Sequence, residues 1–142
     1  MGPGSSVPLI DGFFELTYVR NVGAAFGLFP GRQPVFIAVS AFVLVGVAVY
    51  WRRARPAEWP VVISLALIFG GSLGNLIDRV GVGKVTDFFY FSFIDFPVFN
   101  VADIAIVGGA GLLMAWLLFG PVPVKPSTAI DDVPDAEEVD SP

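Results

Sequence analysis

Three stretches without a charged side chain constrain this chain more than anything else in it: residues 33–51, 59–77 and 104–124, of nineteen, nineteen and twenty-one residues. At ~1.5 Å of rise per residue, nineteen residues of α-helix cover roughly 28 Å, close to the hydrocarbon thickness of a bilayer. No water is available there to satisfy exposed backbone groups. A helix satisfies its own, so it is the form each stretch can take. The expected fold is an all-α polytopic membrane protein with three transmembrane helices. The 55% hydrophobic composition belongs with that reading and not with a water-soluble domain.

The flanks orient the spans. Tyr50 and Trp51 end the first as an interfacial belt, and Arg52, Arg53 and Arg55 follow at once. A dense basic cluster beside a span marks the cytoplasmic side. The second span opens there at Trp59 and Pro60, so its far end and the start of the third lie outside the cytoplasm. Lys125 brings the chain back. Inside the second span, Gly70 and Gly74 form a small-xxx-small pair that favours close helix packing in lipid.

Residues 1–6 read as a flexible lead-in, 7–125 as the membrane domain, and 126–142 as a disordered acidic cytoplasmic tail. The tail holds six of the thirteen acids, which leaves seven acids against eight bases in the body. A body so nearly neutral gives no sign of a nucleic-acid partner. Between the lead-in and the first span, residues 11–20 alternate aromatic and β-branched residues with polar ones and read as a short strand. Residues 81–100, with seven aromatics between Phe88 and Phe99, read as an outer loop in the membrane interface.

The polar residues of the apolar body gather in one run. Between residues 70 and 103 lie Asn75, Asp78, Arg79, Asp87, Asp95, Asn100 and Asp103. Ionisable groups at a membrane span are costly, and they mark function by default. With no His and no Cys in the chain, Ser–His triads, thiol nucleophiles and the usual zinc sites are excluded. A Ser–Lys pair would have to use Lys84, with Ser92 the available partner, and no pattern supports it.

Asn100 and Asp103 are three residues apart, the spacing of a helix N-cap and its first turn, where the helix dipole favours an anion. That spacing leaves capping and catalysis equally open. Asp87 sits among aromatic neighbours that draw it to the interface, where burial raises a carboxyl pKa. Two carboxyls sharing a proton can activate a water without metal or cofactor. Asp78 and Arg79 read as structural support, Asn75 as a hydrogen-bond donor and Asp95 as a turn residue. A transporter or channel subunit is the rival reading. It requires carboxylates near mid-membrane, whereas Asp78 and Asp103 fall at span ends.

Four blocks then carry a resemblance: NVGAAFG at 21–27, GGSLGNLIDRV at 70–80, VTDFFYF at 85–91 and FNVADIAI at 99–106. In this order they resemble the lipoprotein signal peptidase (signal peptidase II) family. The resemblance implies a bacterial aspartic endopeptidase of the inner membrane, with its active site at the extracytoplasmic face. Such an enzyme removes signal peptides from prolipoproteins, cutting before a diacylglyceryl cysteine. It places the catalytic dyad on Asp87 and Asp103, and assigns Asn21, Asn75, Arg79 and Asn100 to substrate positioning or site support. It also implies a small extracytoplasmic β-sheet, which fits the strand at 11–20. Membrane lipids would be further partners, with no cofactor or metal. Family members have four spanning helices and this chain shows three. The absent one is expected before residue 7, which makes a truncated, non-catalytic binder of lipoprotein precursors the alternative.

Overall fold

The structure is a computed structural model that describes residues 2, 4–23 and 32–121. Two strands come first, β1 (Ser6–Ile10) and β2 (Phe14–Asn21), then two long helices, α1 (Gln33–Ala54) and α2 (Trp59–Gly81). Strand β3 (Val85–Phe91) and helix α3 (Val101–Phe119) follow. All three helices are long and apolar enough to cross a membrane, and the protein is multi-pass.

Each helix outruns or undercuts its uncharged stretch for a local reason. Helix α1 continues through Arg52 and Arg53 and stops where Arg55 turns left-handed at φ 45°, its N–H bonded to Trp51 O at 3.1 Å. Arginine in the last turn complements the negative end of the helix dipole. Helix α2 carries Asp78 and Arg79 on one further turn, beyond the expected end at residue 77, and closes with Val82 N bonded to Asp78 O at 2.9 Å. Helix α3 starts at Val101 instead of 104, because Asn100 caps it, and ends at Phe119 before Gly120.

Helix α2 is the centre of the bundle and packs against both α1 and α3. Its inner face buries Val61, Ser64, Leu65, Gly71, Ser72 and Asn75, whereas α1 buries no residue and α3 only Gly109. Outward side chains such as Phe42 (78% exposed) and Phe119 (85%) have little cover from the described residues. Lipid tails are the solvent that accepts them. The close approach of α2 and α3 rests on Gly71 and Gly109, where the sequence suggested Gly70 and Gly74; a Cβ at Gly74 would make only ordinary contact with Ala102 Cβ at 3.6 Å. A side chain at Gly70 would meet nothing within 4 Å, so that glycine faces away from the seam.

The strands form one antiparallel sheet in the order β1-β2-β3. The expected strand at 11–20 is realised as β2, preceded by a turn at residues 11–13 in which Gly12 takes φ 69°. Two features differ from the sequence reading. The lead-in is shorter than residues 1–6: Gly4 N donates to Tyr18 O at 2.8 Å, and Ser6 pairs with Thr17. These are main-chain bonds, which no side-chain pattern announces. The loop at 81–100 contains β3, whose seven residues, VTDFFYF, are largely β-branched or aromatic and suit a pleated surface. An extended bridge between Phe89 and Phe99 folds the rest of that segment back on β3. The acidic tail at 126–142 and residues 24–27 of the NVGAAFG block lie outside the described residues.

Candidate active site

Four separate elements deliver the polar residues to one point, β2 bringing Asn21 at its last position. Strand β3 brings Asp87, which is 2% exposed. Its register is interrupted beside it: the β2–β3 pairing shifts between Leu16–Phe89 and Val19–Asp87. A bulge of this kind re-aims side chains near functional sites. Helix α3 brings Asn100 and Asp103 as a full capping box, in which Asp103 N donates to Asn100 Oδ1 at 3.1 Å and Asn100 N to Asp103 Oδ2 at 3.1 Å. Helix α2 brings Asn75 and Arg79, one turn apart on its inner side.

The start of α3 is fixed by the sheet. Phe99 N donates to Phe89 O at 3.0 Å, and Phe99 O accepts from Phe88 N at 3.0 Å and from Phe89 N at 2.8 Å. The chain therefore leaves β3 and returns to it immediately before Asn100. Rings of Phe14, Phe89, Phe91 and Phe99 pack together there, with centroids 5.4–5.7 Å apart.

The three asparagines are oriented by what else they touch. Asn21 Oδ1 accepts from Gly23 N at 2.9 Å, so its Nδ2 faces Asp87 Oδ2, also at 2.9 Å. Asn100 Oδ1 is taken by Asp103 N, which turns its Nδ2 to Asp87 Oδ1 at 2.7 Å and to Asn75 Oδ1 at 3.2 Å. Asn75, having accepted there, donates its Nδ2 to Asp103 Oδ1 at 2.9 Å. Every oxygen of both carboxyl groups thus receives an amide N–H, and Asn75 and Asn100 connect one aspartate to the other. Asn75 (6% exposed) and Asn100 (5%) are buried, so the bridge is sheltered from water.

Asp87 and Asp103 line a common cavity of about 270 Å³, together with Asn21, Arg79 and the Phe96–Phe99 segment. Burial pushes the Asp87 carboxyl above its ordinary pKa, and the negative charge of Asp103 adds to the effect. The amides of Asn21 and Asn100 and the Arg79 guanidinium pull in the opposite direction without cancelling it. Among the described residues, no three His, Cys, Asp or Glu side chains gather in a way that could hold a metal ion.

Of the residues singled out in the sequence, Asn21, Asn75, Arg79, Asp87, Asn100 and Asp103 come together. Asp78 does not join them. Its Oδ2 accepts from Thr86 N at 3.1 Å and braces the start of β3 against the end of α2. Asp95 lies exposed in the turn after β3. Ser92 Oγ is buried with no hydrogen-bond partner, so no Ser–Lys pair is built on it. One contributor is new: Gln33 Nε2 donates to Arg79 O at 2.7 Å and ties the start of α1 to the site. Its one signal in the sequence is an amide opening an otherwise apolar span. The Arg79 guanidinium also lies over the Phe36 ring, 5.3 Å from its centroid.

The family model for Signal peptidase (SPase) II matches residues 2–119. The "Lipoprotein signal peptidase" of Desulfitobacterium hafniense (strain Y51) is 50% identical over 115 residues, covering 81% of this chain and 76% of that protein. The protein of the same name from Geobacter sulfurreducens is 50% identical over 113 residues, covering 76% of this chain and 71% of that one. Among solved structures, one titled as a bacterial membrane enzyme determined by the in meso method at 2.3 Å resolution superposes with a TM-score of 0.78. It is 33% identical, over 83% of this chain and 73% of that one.

Proposed function

This chain belongs to the signal peptidase II family of aspartic peptidases, which cleave signal peptides from lipoprotein precursors, and from that premise we propose that Asp87 and Asp103 are its catalytic dyad. The observation that carries the assignment is the shared cavity, which is lined by two carboxyl groups from different elements. The network of amide donors around them supports it.

Asp87 holds the shared proton and directs it at the scissile carbonyl oxygen. Asp103, at the N-terminus of α3 where negative charge is favoured, takes a proton from a water as its oxygen bonds to the carbonyl carbon. The tetrahedral intermediate collapses when Asp103 passes that proton to the leaving nitrogen and the C–N bond breaks. Asp87 then recovers its own proton as the carbonyl re-forms, so both carboxyls end as they began. Asn21, Asn75 and Asn100 hold the two groups in register, and Arg79 offsets the negative charge that the pair retains. The two macroscopic pKa values belong to the dyad as a unit.

The finer partner is a signal peptide that precedes a diacylglyceryl cysteine. Its support is an apolar groove of about 390 Å³ beside Asp103, formed by Phe91, Phe96, Phe99, Ile104 and Val107. The site faces the extracytoplasmic side of the bacterial inner membrane, because the basic cluster Arg52, Arg53 and Arg55 lies at the other end of the helices. The membrane peptidase takes in the sheet from β1 at Ser6 through α3 at Phe119.

The test is cleavage of a lipid-modified prolipoprotein in liposomes by this chain and by its Asp103→Asn variant. The chain cuts and the variant does not. Full cleavage by the variant overturns the dyad. Binding without cleavage by the unaltered chain makes it a non-catalytic binder of precursors.

A further inference from the structure

Gly71 lies one turn before Asn75 on α2, on the face that meets α3. A Cβ there would strike the Ala102 carbonyl oxygen and would stand 2.8 Å from Ile106 Cγ1 and 3.2 Å from Ile106 N. Two of these three atoms belong to the α3 backbone, so no rotamer change can clear them. Ala102 immediately precedes Asp103 and is flanked on its other side by Val101 and the capping Asn100. The missing side chain at 71 therefore sets how deeply the first turn of α3 seats on α2. That depth decides whether Asn75 Nδ2 reaches Asp103 Oδ1 at 2.9 Å and whether Asn100 Nδ2 reaches Asn75 Oδ1 at 3.2 Å. The Asn100–Asn75 contact already stands at 3.2 Å, so pushing the helix off by about half an ångström carries it beyond hydrogen-bond range, and any tilt that closes the donor angle weakens both bonds steeply.

We propose that Gly71 is a positioning residue for the peptidase, registering Asp103 against Asp87 through the first turn of α3. The proposal rests on the dyad reading above. Gly109 supplies its control. A Cβ at Gly109 would meet Ser64 O at 2.8 Å, Leu67 Cβ at 2.9 Å and Ile68 Cγ1 at 3.0 Å. It belongs to the same α2–α3 seam and imposes a comparable steric load, two turns away from the carboxyl groups. A glycine that mattered only for bundle stability would be interchangeable with it.

The experiment compares Gly71→Ala, Gly109→Ala and Asp103→Asn, reading kcat and KM on a lipid-modified prolipoprotein alongside the melting temperature in the same detergent. Both alanine variants lose stability. Gly71→Ala loses about 10²-fold in kcat with KM little changed, the scale expected when a reacting group is misplaced by about 1 Å. Gly109→Ala keeps kcat within about threefold, as a packing change remote from the reacting groups should. Equal loss of kcat in the two, or a normal kcat in Gly71→Ala, overturns the proposal. Should Gly71→Ala not fold, Gly71→Ala/Ile106→Ala removes the side-chain contact and keeps the backbone one. It is expected to fold with kcat still depressed, and a normal kcat in the double variant overturns the proposal equally. Asp103→Asn separates the two readings. Cleavage by that variant removes the dyad itself, whereas a dead Asp103→Asn beside matched glycine variants removes only the role of Gly71.

Discussion

At the scale of single residues the site is a contest over one carboxyl group. Burial of Asp87 favours its neutral form, and two amides and a guanidinium favour its charged form; burial prevails. The folded chain therefore keeps a proton on Asp87 to a higher pH than the unfolded chain does. Between roughly pH 4, where an unfolded aspartate ionises, and the raised value in the folded state, the folded form binds the extra proton. The sign follows: stability from this group is present at low pH and falls as pH rises through that window. Asp87→Asn removes the dependence. Melting curves in detergent at rising pH should show the variant gaining on the unaltered chain, while its cleavage is absent throughout. In the unaltered chain cleavage should trace a bell, whose alkaline limb lies above the ordinary carboxylate range because that limb is the loss of the shared proton. An alkaline limb at the ordinary aspartate value would contradict the burial argument. The sequence pointed to this environment through the aromatics around Asp87. The local pattern did not point to the amides that oppose it, since Asn21 is 66 positions away in the chain; the family resemblance alone named Asn21 and Asn100 as site support.

At the scale of elements, α3 shows why one spacing supported two readings. Asn100 and Asp103 form a complete capping box, and both side chains also belong to the dyad network. Capping and the proposed catalysis are therefore not alternatives here; one helix start can serve both. Asn100→Ser and Asn100→Ala separate the roles. Serine can still accept from Asp103 N and keep the cap, but it cannot donate to Asp87 and Asn75 together. Alanine loses the cap as well, at a further cost of about 1 kcal/mol. Both variants should lose on the order of 10²-fold or more in kcat, the scale for removing one preorganised donor. Only the alanine variant should also melt clearly lower; serine retaining full kcat would show that the Asn100 amide is dispensable. The same scale explains what could be read in advance. Three uncharged runs announce three helices because length in a bilayer leaves no other form. Strand β3 was hidden in a loop because its partners, β2 and Phe99, are set by long-range pairing and not by local pattern. The Gly70–Gly74 spacing was real as a motif, but a single-residue offset moved the contact to Gly71, and only the rotation of α2 against α3 decides between them.

For the whole molecule, the order of charge along three antiparallel helices determines where the chemistry happens. The carboxyl pair lies where α2 ends and α3 begins, and the arginines lie where α1 ends and α2 begins, so the two groups occupy opposite ends of the bundle. Arginine-rich termini stay in the cytoplasm, because moving them across the membrane during insertion is opposed by the potential and by anionic lipid. Under the proposed orientation the sheet, the aromatic turn and the proposed dyad face outward, where a lipoprotein precursor would present its signal helix from the bilayer. The arrangement is directly measurable because the chain contains no cysteine, so any introduced thiol is the sole target. Asp95→Cys, in the exposed turn after β3, should react with a membrane-impermeant thiol reagent added to intact spheroplasts. Arg53→Cys, exposed at the end of α1, should react only after the membrane is opened. Both variants keep the residues of the site and should still cleave, which certifies that the labelled protein is the folded one. The reverse labelling pattern would place the carboxyl pair in the cytoplasm, on the wrong side for a precursor that has already crossed. The outward-facing site would then fall, even if the dyad assignment survived.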